Sequence, residues 1–236
     1  MIKKLLPIAL VVVILSAAGM AAWVFYTEGG SRFLVDRLLA LVPGQVAKGG
    51  MSGTLAGELA VADLRITGEG WQVKIRRTVV QWRPWEMWGG KIVLGRVLVE
   101  NPEIQDDRPE EPWDLAWPQL PRSVAWWRGG IAALEIKDLV WRRPGEELLI
   151  SRIQSSLDYT YGLIRLSDLA VQTPAGLIAG DVQAHLTSPF LKAEVNLTPG
   201  PGGDLPAMRL RTALRAPSGS LYLRGPLLIA VPDGER

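Results

Sequence analysis

One short apolar pattern recurs along most of this chain. Two apolar residues stand two positions apart, two residues are skipped, and two further apolar residues follow at the same spacing. Alternation with a period of two is typical of a β-strand with one apolar face. The pattern is complete in Leu59-Val61/Leu64-Ile66, Ile92-Leu94/Val97-Val99, Leu134-Ile136/Leu139-Trp141 and Ile164-Leu166/Leu169-Val171. The chain is therefore predicted to form a long sheet with a single apolar face.

The skip inside each copy shifts the alternation by one residue. A β-bulge has this effect, because its extra residue bends the strand without exposing the apolar face. The predicted bulges lie at Ala62-Asp63, Gly95-Arg96, Lys137-Asp138 and Ser167-Asp168. Weaker copies of the pattern are Val73-Ile75/Thr78-Val80 and Leu148-Ile150/Ile153-Ser155. Repeated bulges predict a mainly β fold with a long, curved, antiparallel sheet.

An uncharged stretch of 22 residues runs from Leu5 to Tyr26. A helix needs about 20 apolar residues to cross a bilayer, so residues 1–30 are predicted to form a transmembrane anchor. Two lysines before the stretch favour a cytoplasmic N-terminus, which places the rest of the chain on the far side of the membrane. The alternative is a cleaved signal peptide with small residues near Gly19. Both interpretations export the remainder of the chain.

Residues 31–48 are predicted to hold an amphipathic helix. Apolar residues from Phe33 to Val42 follow helical spacing, with Ser31 as the cap. This helix either lies on the bilayer surface or closes the first end of the sheet.

Residues 49–236 are predicted to form one β-domain. A proline-rich stretch at about residues 101–130 interrupts its strands and predicts a long loop, mobile in the acidic part that begins at Asp106. The domain is therefore expected to contain two blocks of strands.

The composition argues against most kinds of catalysis. The chain has no cysteine and one histidine, His185, so the common zinc sites cannot be assembled from it. His185 also falls on the polar side of a predicted strand. The net charge is +2, and no basic run is interleaved with aromatic residues, as nucleic-acid binding would require. We expect no enzyme activity, no catalytic residue, no cofactor, no metal and no nucleic-acid partner.

Several short motifs occur together in the first half of the chain. They are Gly53-Thr54-Leu55, Leu59-x-Val61-x-x-Leu64-Arg65-Ile66, Trp82-x-Pro84 and Gly90-x-Ile92-x-Leu94-x-x-Val97. In this order, behind an apolar N-terminal stretch, they resemble the N-terminal region of TamB-type proteins within the wider AsmA-like group. The resemblance covers roughly residues 1 to 200.

The resemblance implies a single-pass protein of the bacterial inner membrane with its bulk in the periplasm. It further implies that the sheet curls into an open apolar groove, the β-taco, that carries phospholipid between the inner and outer membranes. TamB-type proteins are several times longer, and they bind their outer-membrane partner through a far C-terminal region. This chain ends at Arg236, so we expect a fragment or a short relative and do not carry the partner over.

The ligands expected from this interpretation are the acyl chains of membrane phospholipids. The candidate groove residues are Leu59, Val61, Ile92, Leu94, Leu134, Ile136, Ile164 and Leu166. The alternative fold is a closed sandwich that covers the apolar face with its own side chains. The alternative function is a structural module for outer-membrane protein assembly. It would bind further β-groove segments or another envelope protein at its C-terminal strand edge. An exported hydrolase is a third possibility.

Overall fold

A computed structural model describes residues 15–16, 19–42, 44–108, 127–186, 190–200, 206–215 and 227–230, with only the backbone at Trp88 and Leu227. The chain is mainly β, as predicted. Helix α1 is Glu28–Leu39, and a 3₁₀ helix is Pro84–Gly89. Strands β1 to β6 are Gln45–Ala47, Met51–Gly53, Glu58–Gly68, Trp71–Trp82, Ile92–Asp106 and Arg128–Arg143. Strands β7 to β12 are Glu146–Thr160, Leu163–Thr173, Gly176–His185, Phe190–Pro199, Met208–Arg215 and Leu227–Ala230.

All 12 strands belong to one open sheet. Strands β3 to β12 lie side by side in chain order, and the short strands β1 and β2 both pair with β3. Every described pair is antiparallel except β5 with β6, which is parallel. The prediction of an antiparallel sheet is therefore wrong at one place, and the sheet is mixed.

The parallel pair follows from the long connection between β5 and β6. Parallel neighbours need a crossover of about a dozen residues or more, because the chain must return to the end where it started. The connection runs from residue 107 to residue 127 and meets this requirement. The predicted loop at 101–130 is thus shorter than expected, since each of its ends lies in a strand.

Asp106 lies at the end of β5 and helps to hold this parallel pair. The sequence placed it in a mobile loop, but it is only 5% exposed. Its carboxylate accepts hydrogen bonds from Arg108 Nε at 2.8 Å and from Arg143 Nη2, at the end of β6, at 3.5 Å. The hydrogen bonds from Arg108 outweigh the effect of burial and lower the pKa of Asp106 to about 2.

Cross-strand register keeps the apolar residues on one face. Residues directly opposite each other in neighbouring strands point to the same side of a sheet. One such row runs Leu59–Val80–Val97–Leu134 across β3 to β6. A second row, nearer the other end of the chain, runs Leu166–Val182–Ala193–Thr212 across β8 to β11. The apolar face is continuous across the sheet.

The regular pairing between strands is interrupted along two lines, and the first of these, here named the first crease, crosses β3 to β7. It consists of Asp63, Arg76, Asn101, Asp138 and Ser151, which lie opposite one another but outside the regular ladder. Asp63, Asn101 and Asp138 have φ values of 50°, 50° and 53°. Because the register is the same on both sides of the crease, the bulges predicted at Ala62-Asp63 and Lys137-Asp138 are wrong. A single left-handed residue in the strand replaces the inserted residue of a bulge.

The second line of interruptions, the second crease, crosses β4 to β9. Here the register shifts by one residue, beside Gly95 in β5 and at Ser167-Asp168 in β8. The Asp168 backbone N–H donates a hydrogen bond to Asp181 Oδ1 in β9 at 3.2 Å. These two predicted bulges are confirmed.

Helix α1 begins and ends earlier than the sequence suggested. Thr27, not Ser31, is its cap, because Thr27 Oγ1 accepts a hydrogen bond from the Gly30 backbone N–H at 3.1 Å. The helix ends at Leu39, and part of the predicted helical range 31–48 forms β1 instead. The fully buried Ser31 lies inside the helix, where its hydroxyl accepts a hydrogen bond from the Leu55 backbone N–H at 2.9 Å. That contact joins α1 to the turn between β2 and β3.

The segment before α1 also contacts the sheet. Residues 19–26 are helical, and the Phe25 and Trp82 rings meet edge to face at 5.1 Å between centroids. Within the described part of the chain, neither helix is long and apolar enough to cross a bilayer. Leu5 and most of the predicted anchor lie outside the described residues, while Tyr26 is helical and 66% exposed. The anchor stays a prediction.

The left-handed conformation in the first crease leads to a stability prediction. Asp138→Val is expected to lower the free energy of unfolding by about 1–2 kcal/mol, because a β-branched residue is strained at positive φ. Asp138→Gly should stay close to wild type, since glycine adopts this conformation freely. Chemical unfolding of the detergent-solubilised chain, followed by tryptophan fluorescence, measures both. Equal losses in the two variants would contradict the argument.

The low pKa of Asp106 predicts a pH-dependent contribution to stability. The ordinary value of 3.8 applies when the chain is unfolded, and the folded-state value is about 2. The wild type should therefore be more stable than Asp106→Asn at neutral pH, with a constant difference down to about pH 5. The difference should shrink as the pH falls from 3.8 through about 2. Unfolding curves of both proteins across this range test it, and a difference that does not change with pH would exclude the carboxylate's charge as its cause.

Candidate functional site: the open apolar face

The structure places all eight predicted groove residues on the same face. Leu59 and Val61 of β3 are in register, through β4 and β5, with Leu134 and Ile136 of β6. The remaining four are connected in the same way across β5 to β8. They are Ile92, Leu94, Ile164 and Leu166. The face is thus assembled from residues far apart in the sequence.

Burial varies along this face. Leu59 and Val61 are only 5% and 8% exposed, whereas Ile92 is 41% exposed. Leu94, Leu134, Ile136, Ile164 and Leu166 are half-buried. The two buried residues lie opposite β2, the strand that α1 contacts. The apolar face is therefore covered at its first end and more open beyond it.

The face extends further than the sequence predicted. Strands β9 to β11 add apolar residues in register with β8. They include Ile178, Val182, Leu191, Val195, Leu197 and Leu210. Their strands alternate simply, without the internal skip, and for that reason the repeated pattern missed them. Plain alternation in this region was the signal that would have found them.

A second layer over the sheet is not seen among the described elements. Apart from strand pairing, the substantial contacts are those of α1 with β2 and of the 3₁₀ helix with β5. The two ends of the sheet, β1 and β12, are not paired with each other in these ranges. The described strands accordingly form a single open layer, not the closed sandwich considered above.

The opposite face of the sheet is polar and carries cross-strand ion pairs. Glu100 lies 3.6 Å from both Arg77 and Lys137, which flank it on β4 and β6. In β6, Glu135 accepts hydrogen bonds from Arg96 at 3.1 Å and from Arg152 at 2.5 Å. Burial opposes the ionisation of Glu135, but these hydrogen bonds prevail and lower its pKa. The ion pairs thus lie on one face of the sheet, which also holds the buried Val79 and Leu98, and the other face is the more uniformly apolar.

Apart from the charged cluster of Asp106, Arg108 and Arg143 at its margin, the apolar face has few polar atoms, and its unsatisfied ones are separate. Thr78 Oγ1, Trp82 Nε1 and Trp141 Nε1 are buried there without a hydrogen-bond partner. Their strand positions set them apart, since Trp82 is at the end of β4 and Trp141 near the end of β6. A pocket that recognises one small molecule brings several polar groups together. This face instead offers a broad aliphatic surface with isolated donors.

The described geometry defines a class of protein: a single-layer, open β-sheet with one uncovered apolar face. No protein-family model matches this chain, and no curated protein matches it by sequence. The resemblance to TamB-type proteins therefore rests on the motifs alone and stays a prediction.

Because the apolar face is covered at one end and open elsewhere, two side-chain truncations on it are expected to lower the free energy of unfolding by different amounts. Leu59→Ala should lower the free energy of unfolding by about 2–4 kcal/mol, because it leaves a cavity under a covered region. Ile136→Ala should cost about 1 kcal/mol, since its side chain is half-buried and leaves no enclosed cavity. Chemical unfolding of the two variants measures the difference. Equal and large costs would show that a protein layer covers Ile136.

Proposed function

We propose that this chain shields the acyl chains of phospholipids on its apolar face. From an inner-membrane anchor, it would carry lipid through the periplasm between the inner and outer membranes. The observation that supports this most is the continuous apolar face, which no other described element covers beyond its first end. A one-sided sheet is stable only when something buries that face. Acyl chains do so at about 0.8 kcal/mol for each buried methylene.

The dimensions of the sheet suit this role. The 11 residues of β3 span about 35 Å along the strand, more than the ~15 Å of hydrocarbon in one leaflet. An extended acyl chain therefore fits along a strand. Across the strands the face continues from β3 to β12, so that many lipids could lie side by side. The scarcity of polar groups on it favours chains over any particular head group.

The N-terminal helices support a membrane location for the first end of the sheet. Their exposed side chains include Trp23, Tyr26 and Phe33, which are 46%, 66% and 50% exposed. Aromatic residues of this kind favour the lipid–water boundary. The same helices contact β2 and the end of β4 through Arg32 and Phe25. Lipid leaving the bilayer there would reach the apolar face just beyond its covered first end.

The free edge of the sheet supports a second candidate function. Strand β12 pairs with β11 on one side only among the described strands, and Leu228 and Ile229 are 63% and 61% exposed. An unpaired edge can accept a strand from another protein. In this alternative the chain is an assembly module for outer-membrane proteins, which docks another envelope protein or a further groove segment at β12.

Photo-crosslinking distinguishes the two candidates. A benzoylphenylalanine placed at Ile136 or Leu166 in the full chain, expressed in a Gram-negative envelope, is expected to capture phospholipid. The same group at Arg165 is the matched control, because it neighbours Leu166 but points to the polar face. An additional substitution, Leu94→Arg or Ile136→Arg, should reduce the phospholipid captured by the probe at Leu166 severalfold, since burying a charge among acyl chains is unfavourable.

Two results would decide against lipid shielding. One is capture of proteins alone from the apolar face. The other is equal phospholipid capture at Leu166 and Arg165. The assembly module would be favoured if a probe at Leu228 captured protein while the probes at Ile136 and Leu166 captured neither protein nor lipid.

A further inference from the structure

Within the described ranges, the exposed aromatic side chains lie in two places. Three are in the N-terminal helices, and the other three lie at strand ends along one long margin of the sheet. The latter are Trp85, Trp127 and Tyr161, which are 60%, 60% and 51% exposed. This margin, here named the aromatic rim, contains the end of β4, the 3₁₀ helix, the starts of β5 and β6 and the turn between β7 and β8.

Backbone pairing brings the side chains of the aromatic rim into one strip. The backbone N–H of Tyr161 donates a hydrogen bond to the Trp127 carbonyl at 3.2 Å. Ile92, which is 41% exposed, lies opposite Gly129, two residues after Trp127. Met87, in the same 3₁₀ helix as Trp85, is 44% exposed. Exposed apolar residues that adjoin one another mark an interaction surface, whereas single scattered ones do not.

The opposite margin of the sheet has a different character. It contains the ends of β5 and β6 and the start of β7, and its two aromatic side chains in the described strands, Trp71 and Trp141, are half-buried. Its charged residues are Glu69, Asp106, Asp107, Arg108, Arg143 and Glu146. Exposed aromatic residues are therefore a property of one margin and not of strand ends in general.

Tyr161 has a backbone conformation that tyrosine rarely adopts. It forms the two-residue turn between β7 and β8 with Gly162, and their φ values of 50° and 87° are those of a type I′ turn. Asparagine, aspartate or glycine is preferred at the first position of this turn, and a bulky residue is strained there. The Arg128 guanidinium lies 5.7 Å from the Tyr161 ring centroid, but an exposed cation–π contact stabilises by less than the positive φ costs. Strain kept at an exposed turn points to a function of the side chain.

The predicted membrane anchor leads into this same rim. The Ala56 backbone N–H donates a hydrogen bond to the Phe25 carbonyl at 2.8 Å, and the Phe25 ring contacts Trp82 at the end of β4. The uncharged N-terminal stretch ends at Tyr26. The aromatic rim therefore begins where the chain would leave the bilayer. Tryptophan and tyrosine, which combine an apolar ring with a polar group, favour the lipid–water boundary.

We propose that the aromatic rim lies in the head-group layer of a phospholipid bilayer, with Trp85, Trp127 and Tyr161 as its contacts. This inference rests on the membrane location in the proposed function and extends it from the N-terminal helices to the strand ends of β4 to β8. The strands then run away from the bilayer, and the charged opposite margin stays in water. Lipid would enter the apolar face along several strands and not only beside the helices.

A fluorescent label on each margin tests this orientation. The chain has no cysteine, so a single introduced cysteine directs the label. Gly89→Cys is suitable on the aromatic rim, because Gly89 is exposed and a side chain there would enter open space. The full chain, labelled with nitrobenzoxadiazole, is reconstituted in vesicles of phosphatidylethanolamine and phosphatidylglycerol that contain a nitroxide-labelled phospholipid. Quenching at Gly89→Cys should exceed that at Ala175→Cys, in an exposed turn of the opposite margin, by about five- to tenfold.

Substitution of the three aromatic contacts should release the rim from the bilayer. In Trp85→Gln/Trp127→Gln/Tyr161→Asn, quenching at Gly89→Cys should fall about five- to tenfold. Tyr161→Asn alone should unfold at the same denaturant concentration as the wild type or a higher one, because asparagine is favoured in this turn. Membrane contact is thereby separated from folding. The control Leu149→Gln/Leu177→Gln removes exposed apolar side chains near the opposite margin and should leave the quenching unchanged.

Equal quenching of the two labels would overturn the proposal, and so would unchanged quenching in the triple variant. Disulfide formation between two copies through unlabelled Gly89→Cys, together with no quenching of the labelled protein, would also overturn it and assign the rim to an interface between copies. Failure of the proposed function gives a different result. Quenching at Gly89→Cys without phospholipid capture at Leu166 would reject lipid shielding but retain the membrane contact of the rim. Capture at Leu166 without this quenching would reject the rim alone.

Discussion

The whole structure depends on one constraint of strand pairing. A shift of a single residue between two strands moves every following side chain to the other face of the sheet. Five strands are interrupted at the first crease, yet their apolar residues stay on one side because each interruption lies opposite another. Three of these interruptions are left-handed residues: Asp63 in β3, Asn101 in β5 and Asp138 in β6. The interruptions are matched across the sheet and so preserve its two faces.

The same register that separates the two faces also brings oppositely charged side chains together on the polar face. Glu100 can meet Arg77 and Lys137 only because the register of β4, β5 and β6 brings the three residues into one row. Surface ion pairs contribute little individually, about 0–1 kcal/mol each. Their larger consequence is that a strand slipped by one residue would bring these charges onto the apolar face. The charges therefore oppose the alternative registers.

The sequence predicted the strands and the apolar side of each, but not the direction in which neighbouring strands pair. Periodicity is a local property, so the repeated pattern was sufficient to put Leu59 and Leu166 on an apolar face. The direction of a neighbouring strand depends on the connection and on tertiary packing, and the parallel pair of β5 and β6 was missed for this reason. At the skips, an aspartate was visible in three of the four positions, and this residue tolerates the left-handed conformation better than most. That signal indicates a left-handed residue at these positions, but it does not distinguish Asp63 and Asp138 from a bulge, because Asp168 has positive φ within a true bulge.

The two ends of the sheet are finished in different ways, and this asymmetry gives the apolar face a direction. Unprotected edge strands tend to pair with other chains, and proteins avoid this by making edge strands short or by covering them. At the first end, β1 and β2 are three residues each, and Ser31 and Arg32 of α1 connect the helix to the β2 region. Leu59 is buried at that end, whereas Leu228 and Ile229 are exposed at the other. Among the described strands, the β12 edge is the end at which exposed apolar residues are offered to a further strand. The apolar face of the sheet runs from the N-terminal helices at one end to the exposed edge strand β12 at the other.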